Sequence, residues 1–340
     1  MAWMIYGANG YTGRLVAEAA AAAGEQPVLA GRSEAGVRAV ADRSGASWRA
    51  FPLERPKLEG IDLVLHCAGP FSATSRPMVD ACLAVGAHYL DITGEVDVIE
   101  AVLARDAEAR AAKVALVPAV GFDVVPSDCL AALLHRKLPS AVRLELAFRS
   151  HGRPSPGTLK TMVENLPRGT RARRGGKLVA IDPLIRTVPF PRSGPRQAMA
   201  IPWGDLATAY RSTGIPDITV YMAMGDRALR LARLQRLFAP LVGLAPVQAF
   251  LKRRIERRVR GPGREERERG SVELWGRVED ARGNFAEGTM VVPEGYQFTA
   301  EAALACVRRV RAGIAPGAWT PSLAFGPDFA VSLPGVTAQI

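Results

Sequence analysis

A glycine-rich turn near the start of the chain constrains the fold more than any other feature. Residues 2–6 form a short apolar run that is typical of a buried strand, and an alanine-rich helical stretch covers residues 14–23. Between them stand Gly7, Gly10 and Gly13. This order of strand, glycine turn and helix predicts the first β-α unit of a parallel α/β domain.

The spacing of these glycines favours a nucleotide phosphate as the ligand of the turn. One glycine permits a tight turn, another lets the main chain approach a pyrophosphate, and another lets helix and strand pack closely. Free amides at the helix start face the negative charge. The residues expected to contact the cofactor here are Gly7, Asn9, Gly10, Tyr11, Thr12 and Gly13.

The end of the second strand indicates which dinucleotide binds. An NAD-binding domain of this type places an acidic residue there to hold the ribose hydroxyls. This chain has Arg32 and Ser33 instead. A guanidinium can bind a 2′-phosphate, and Ser33 can cap the next helix while donating to the same group. The sequence therefore predicts NADP as the cofactor.

Further strand and helix patterns alternate over the first 135 residues and predict a doubly wound parallel sheet. Ligands of such sheets lie beyond the carboxyl ends of the strands, so the loops there hold the candidate site residues. The loop after the strand near residues 62–67 is expected to meet the nicotinamide end of the cofactor. Its residues are Cys67, Ala68, Gly69, Pro70 and Phe71.

Two carboxylates follow later strands at the same sheet edge. Glu95 and Asp123 can each orient the cofactor or pass a proton to a substrate, and the sequence does not choose between them as proton donor. Both are therefore candidate catalytic residues.

Several of these motifs together resemble those of the saccharopine dehydrogenase-like oxidoreductases, and most of all the trans-acting enoyl reductase group. They are the segments at residues 7–13, 30–32, 67–71, 89–95 and 121–128, with a late segment at 317–326. The resemblance implies an NADP-binding Rossmann domain, an α+β substrate domain and a C-terminal segment that returns to the first domain. It supports the cofactor more than the substrate.

Charge also divides the chain. The net charge is −5 over residues 1–135, +11 over 136–214 and +5 over 215–340. We expect an NADP-binding domain at 1–135, a substrate or dimerisation domain at 136–312 and a packing segment at 313–340.

Residues 167–202 are rich in Pro, Gly and Arg and are expected to form long loops. Their cations, which could meet an anionic ligand or an acidic carrier protein, are Arg168, Arg171, Arg173, Arg174 and Lys177.

An uncharged run at residues 237–251 has basic flanks. It is shorter than the about 20 apolar residues that a spanning helix needs, and Pro240 and Pro246 interrupt it. The run is expected to cover the sheet or form a homodimer contact, and a peripheral membrane contact is the alternative.

Composition excludes several other classes. The four cysteines form no Cys-x-x-Cys pair and the four histidines no His-Glu-x-x-His motif, so we expect no disulfide framework and no metal site. We also expect no signal peptide and a cytoplasmic location. Because no aromatic residues are interleaved with the basic ones, a nucleic-acid partner is not expected.

The leading functional hypothesis is an NAD(P)H-dependent oxidoreductase that prefers NADP and passes hydride to a small-molecule or lipid-derived acceptor such as an enoyl thioester. No lysine has a tyrosine four residues before it, which argues against a short-chain reductase mechanism. Two alternatives stay open: a saccharopine-type C–N oxidoreductase, and a non-catalytic NADP-binding scaffold at a membrane surface.

Overall fold

The structure of the chain, a computed structural model, describes residues 2–165, 167, 169–225, 229 and 244–340. They form two compact units. The first runs to Val125 and includes Tyr296–Leu333, and the second contains Pro126–Gly295 and Pro334–Ile340. The sequence predicts boundaries after residues 135 and 312 and a single C-terminal packing segment, so the observed divisions differ. Two of the divisions, before Pro126 and before Tyr296, lie in the first turn of a helix.

Strands and helices alternate along the chain up to Val125, as the apolar periodicity predicts. The strands are Ala2–Tyr6 (β1), Val28–Gly31 (β2), Trp48–Ala50 (β3), Ile61–His66 (β4), His88–Asp91 (β5) and Ala115–Val117 (β6). The helices are Tyr11–Ala22 (α1), Glu34–Ser44 (α2), Phe71–Val85 (α3), Val96–Leu103 (α4) and Asp106–Ala111 (α5). Gly45 and Gly86 end α2 and α3 in the left-handed conformation, which glycine adopts without a steric penalty.

The second unit mixes longer strands with helices. Its strands are Ala141–Ser150 (β7), Thr170–Arg174 (β8), Lys177–Ile181 (β9), Ile185–Phe190 (β10), Gly194–Ala200 (β11), Asp217–Ala223 (β12), Ser271–Asp280 (β13) and Phe285–Pro293 (β14). The helices in this part of the chain are Val125–Lys137 (α6), Pro156–Asn165 (α7), Asp205–Thr213 (α8), Ala245–Arg258 (α9) and Arg264–Arg269 (α10).

The C-terminal elements are shared between the units. They are Gly295–Ala312 (α11), Gly317–Ala318 (β15), Pro321–Phe325 (α12), a 3₁₀ turn at Ala330–Ser332, and Thr337–Gln339 (β16). The strand β15 pairs with β6 in the first unit, whereas β16 pairs with β14 in the second.

The first unit contains a parallel sheet with the strand order β15-β6-β5-β4-β1-β2-β3. Each pairing is parallel, and apolar side chains fill the interior of the sheet: Met4 and Ile5 of β1 and Leu63 of β4 have no solvent exposure. A strand covered on both faces needs apolar residues at consecutive positions, which explains the unbroken apolar runs in the sequence. The predicted doubly wound parallel sheet is confirmed.

The second unit contains a nine-stranded mixed sheet. Its main path is β10-β11-β12-β7-β13-β14-β16, with β8 and β9 attached beside β12. The pair β12 and β7 is parallel and the others are antiparallel. A Cβ atom at Gly276 of β13 would lie 2.8 Å from Leu134 of α6, so this helix packs closely on the sheet. The α+β second domain is confirmed.

The expectation of long loops at residues 167–202 is wrong, because β8, β9, β10 and β11 occupy most of that stretch. Gly175 and Gly176, both with positive φ, form the turn of the β8-β9 hairpin. Arg173 is buried and donates to the carbonyl oxygens of Leu206 (2.6 Å) and Gly176 (2.7 Å). This cation is therefore used inside the unit, while Arg168 lies outside the described residues.

Part of the uncharged run at 237–251 also lies outside the described residues, which resume at Leu244 and continue into α9. Within the described part of the chain, no helix combines the length and the apolar character that crossing a bilayer requires.

Candidate functional site

The glycine turn lies between β1 and α1 and is held against the loop after β4. Gly7 has a φ of +89°, and a Cβ atom there would lie 2.8 Å from the amide nitrogen of Ala68. At Gly13, a Cβ atom would lie 2.2 Å from the carbonyl oxygen of Gly7. Neither position has space for a side chain, so the turn brings two cofactor-binding segments predicted from the sequence into contact.

The helix α1 begins after Gly10, which stands at its N-cap and has no side chain that could accept a hydrogen bond from the first helix amides. Such amides carry partial positive charge and favour an anion. Tyr11 packs edge-to-face on Tyr296 of α11, with 5.0 Å between the ring centroids.

The end of β2 forms a second edge of the site. The side chain of Asn9 lies between Gly31 and Gly36, where a Cβ atom would come within 2.9 Å of the Asn9 amide group in both cases. Ser33 caps α2 by accepting a hydrogen bond from the amide of Gly36 (3.3 Å). Arg32 is exposed beside them. Arg32 and Ser33 are both exposed to solvent, so a ligand bound at the glycine turn beside Asn9 has access to their side chains.

The loop after β4 is held by side chains beneath it. Cys67 donates its amide to the carbonyl of Tyr6 (2.7 Å), and the hydroxyl of Thr74 donates to the carbonyl of Ala68 (2.6 Å). The imidazole of His66 bonds the same Thr74 oxygen at 3.0 Å. Burial lowers the pKa of His66 to about 3, so the imidazole is neutral and donates through Nε2 to Thr74.

Glu95 joins this loop to α4. Its carboxylate accepts from the amide of Phe71 at 2.9 Å and from the amide of Ser72 at 3.0 Å. These are the first amides of α3, so Glu95 caps that helix from another element. The side chain is buried. Its negative charge is stabilised by two amide donors and by the positive end of the α3 dipole.

Asp91, at the end of β5, organises the segment that carries Glu95. One of its carboxylate oxygens accepts from the amides of Thr93 (3.0 Å) and Ala119 (2.8 Å), and the other from the hydroxyl of Tyr89 (2.8 Å). The hydroxyl of Thr93 in turn accepts from the amide of Glu95 (3.0 Å). Burial raises the pKa of Asp91 to about 6, against the effect of the two amide donors.

Asp123 lies beside this network. A Cβ atom at Gly94 would be 2.5 Å from Oδ2 of Asp123, so glycine is needed there for the carboxylate to approach. Burial among protein atoms and then the charge of Glu95 raise the pKa of Asp123 to about 7. The residue as a whole remains partly exposed to solvent. Asp123 can therefore hold or release a proton near neutral pH.

The loop of Asp123 is anchored by a distant part of the chain that the sequence analysis missed. The hydroxyl of Thr299 in α11 accepts from the amide of Phe122 at 3.0 Å, and Gly121 has no space for a Cβ beside the same threonine. No local pattern connects these residues, because they are 177 positions apart. Tyr296 was missed for the same reason.

The described side chains fit a dinucleotide better than a metal. Within the described residues, no group of three His, Cys, Asp or Glu side chains could hold a metal ion. In contrast, the crowded positions of Gly7 and Gly13 and the open α1 amides match the needs of a pyrophosphate-binding turn.

Comparison with protein families agrees with this fit. Residues 3–117 match the family described as the saccharopine dehydrogenase NADP binding domain. The match covers the glycine turn, Arg32, the loop at 67–71 and Glu95, and it ends before Asp123.

Curated relatives match less than half of the chain. A Mycobacterium tuberculosis protein with a provisional trans-acting enoyl reductase name is 34% identical over 188 residues, which are 48% of this chain and 43% of that protein. The trans-acting enoyl reductase of Mycobacterium leprae is 32% identical over 148 residues, covering 40% of this chain and 35% of that protein. The chain therefore spans less than half the length of these relatives.

Among solved structures, apo saccharopine dehydrogenase (L-Glu forming) from Saccharomyces cerevisiae has a TM-score of 0.67 at 13% identity, with 99% of both chains covered. An amine dehydrogenase from Mycobacterium smegmatis has a TM-score of 0.53 at 15% identity, covering 95% of this chain and 96% of that one. At these identities the likeness concerns the fold.

Proposed function

We propose that this chain is an NADPH-dependent reductase, because its residues 3–117 match the family described as the saccharopine dehydrogenase NADP binding domain. The acceptor class that we favour is an enoyl thioester or a similar conjugated alkene. The names of the curated relatives support this class, although the chain spans less than half of their length.

The glycine turn is the single observation that supports the proposal most directly. Gly7 and Gly13 leave no space for a side chain, and Gly10 at the N-cap of α1 has no side chain to cap the first helix amides. In this proposal the amides bind the pyrophosphate, and Arg32 and Ser33 bind the 2′-phosphate. The loop from Cys67 to Phe71 then borders the nicotinamide.

When bound, NADPH supplies a hydride, which an enoyl thioester accepts at its β-carbon. The α-carbon must then take a proton for the reduction to balance. Asp123 suits this role because its raised pKa, about 7, keeps a large share of the carboxyl group protonated at neutral pH. Its partial exposure lets solvent return the proton after each turnover.

Glu95 suits a different role. Both of its oxygens accept amide hydrogen bonds from α3, so the carboxylate is used to cap that helix. We assign Glu95 to positioning the loop at 67–71 and to raising the pKa of Asp123. Asp123 is then the proton donor of the pair.

The test is consumption of NADPH by purified protein with three acceptors: an enoyl thioester of pantetheine, the same group on an acyl carrier protein, and a cyclic imine. The proposal expects turnover with an enoyl substrate, lost in Asp123→Asn and retained in Asp42→Asn, an exposed carboxylate on α2. Turnover of the imine alone would indicate C–N chemistry. Cofactor binding with no turnover of any acceptor would indicate a scaffold and contradict the reductase.

A further inference from the structure

One face of α9 pairs with α7 through polar side chains. The amide of Gln248 donates to the carbonyl of Val163 at 3.2 Å, and Glu256 forms an ion pair with Lys160 at 2.9 Å. Between them, Lys252 forms an ion pair with Glu164. Positions 248, 252 and 256 are four residues apart, so they define a single stripe along α9.

The opposite side of α9 carries a different set of residues. Arg253 and Arg254 lie three and four residues after Phe250, and Arg257 lies four and three residues after these two arginines, so the four side chains share one helix face. We name these four residues the α9 outer face. All four are exposed, and Phe250 has 61% of its surface open to solvent. Arg258 beside them is exposed as well.

The α9 outer face combines an exposed phenylalanine with exposed arginines, and this combination indicates a binding surface more strongly than either feature alone. A charged stripe alone is explained by solvation, and a lone exposed apolar residue needs no explanation. Here the ring and the guanidinium groups point to the same side, away from the stripe that contacts α7. A surface that presents anionic groups with an apolar layer beneath them complements both kinds of side chain.

We infer that the α9 outer face binds the surface of an anionic membrane. The arginines bind lipid phosphates, and Phe250 enters the boundary between headgroups and acyl chains. A bilayer is favoured over an acidic protein because lipid headgroups rearrange around each guanidinium, whereas a protein partner needs a matching array of carboxylates. This inference does not depend on the reductase proposal.

Co-sedimentation of the full chain with lipid vesicles tests the inference. Binding is expected to vesicles of phosphatidylcholine mixed with phosphatidylglycerol, to weaken as salt is raised, and to be absent with phosphatidylcholine alone. The triple variant Arg253→Gln, Arg254→Gln and Arg257→Gln should lose about fivefold in affinity for each charge removed. Phe250→Ser should bind more weakly while keeping the salt dependence.

A second triple variant controls for net charge. Arg38→Gln, Arg43→Gln and Arg76→Gln remove the same charge from exposed positions of α2 and α3 and should bind vesicles as the wild type does. Equal losses in both triple variants, or no binding to anionic vesicles, would overturn the inference. So would binding to an acidic acyl carrier protein that depends on these arginines while vesicles are ignored. Circular dichroism of each variant checks folding.

Discussion

The carboxylate of Glu95 accepts a hydrogen bond from the amide of Phe71 at 2.9 Å, although the two residues belong to different β-α units. A second bond to Ser72 completes the cap of α3. Through this pair, the loop after β5 holds the loop after β4, where the nicotinamide is proposed to lie. The same carboxylate raises the pKa of Asp123.

The Glu95→Gln variant tests both consequences. Loss of the charge weakens the cap, and we expect a decrease of about 1–3 kcal/mol in the free energy of unfolding and a higher KM for NADPH. It also removes the negative charge that disfavours ionisation of Asp123, so the pKa of Asp123 falls. The pH–rate profile should therefore shift to lower pH. A profile unchanged from the wild type would contradict the coupling.

A second prediction concerns the pH dependence of the wild type. Because Asp123 must be protonated to donate, kcat should decrease as pH rises through about 7, the pKa of that group. Asp123→Asn should reduce kcat by about 10² to 10⁴ while NADPH binding stays within a few-fold of the wild type. If Asp123→Asn keeps the full kcat and the same decrease of kcat with rising pH, another group donates the proton.

Asp123→Asn should also change the pH dependence of stability. The folded pKa of Asp123 is raised above its ordinary value of 3.8, so the stability linked to this group is present at low pH and is lost as pH rises through about 7. The asparagine variant avoids that loss. Its Tm relative to the wild type should therefore be more favourable at about pH 8 than at about pH 5. An equal difference at both pH values would contradict the raised pKa.

The Gly13→Ala substitution tests the turn. A Cβ atom at Gly13 would lie 2.2 Å from the carbonyl oxygen of Gly7, so the turn must open by more than an ångström. We expect NADPH binding to weaken at least about tenfold, since the phosphate-facing amides move with the turn. Gly263→Ala, where a Cβ meets open space, is the control and should bind as the wild type does. Calorimetric titration measures both.

Much of the first unit could be predicted from the sequence because its determinants are local. The apolar runs, the glycines at 7, 10 and 13, and Ser33 before α2 each specify an element within a few residues. The strands at 170–200 could not be recognised in the same way. Their Pro, Gly and Arg residues are typical of loops, and only pairing with neighbouring strands makes them a sheet.

In the candidate site, too, only the features that depend on local sequence could be predicted. The position of Glu95 at the sheet edge follows from the strand pattern, but its two bonds to α3 depend on how separate β-α units pack. Thr299 and Tyr296 come from the far end of the chain, and nothing near them in sequence indicates a nucleotide site. Long-range contacts of this kind position the loops that carry the site residues.

Titration of the purified chain with NADPH and NADH, repeated with Arg32→Ala, tests whether Arg32 and the glycine turn bind NADP. We expect the wild type to bind NADPH more tightly than NADH, and Arg32→Ala to lose about 10- to 100-fold in affinity for NADPH and little for NADH. Arg38→Ala, on the exposed side of α2, should leave both affinities unchanged. Equal affinity for the two cofactors in the wild type, or binding of neither, would contradict the assignment of Arg32 and of the glycine turn.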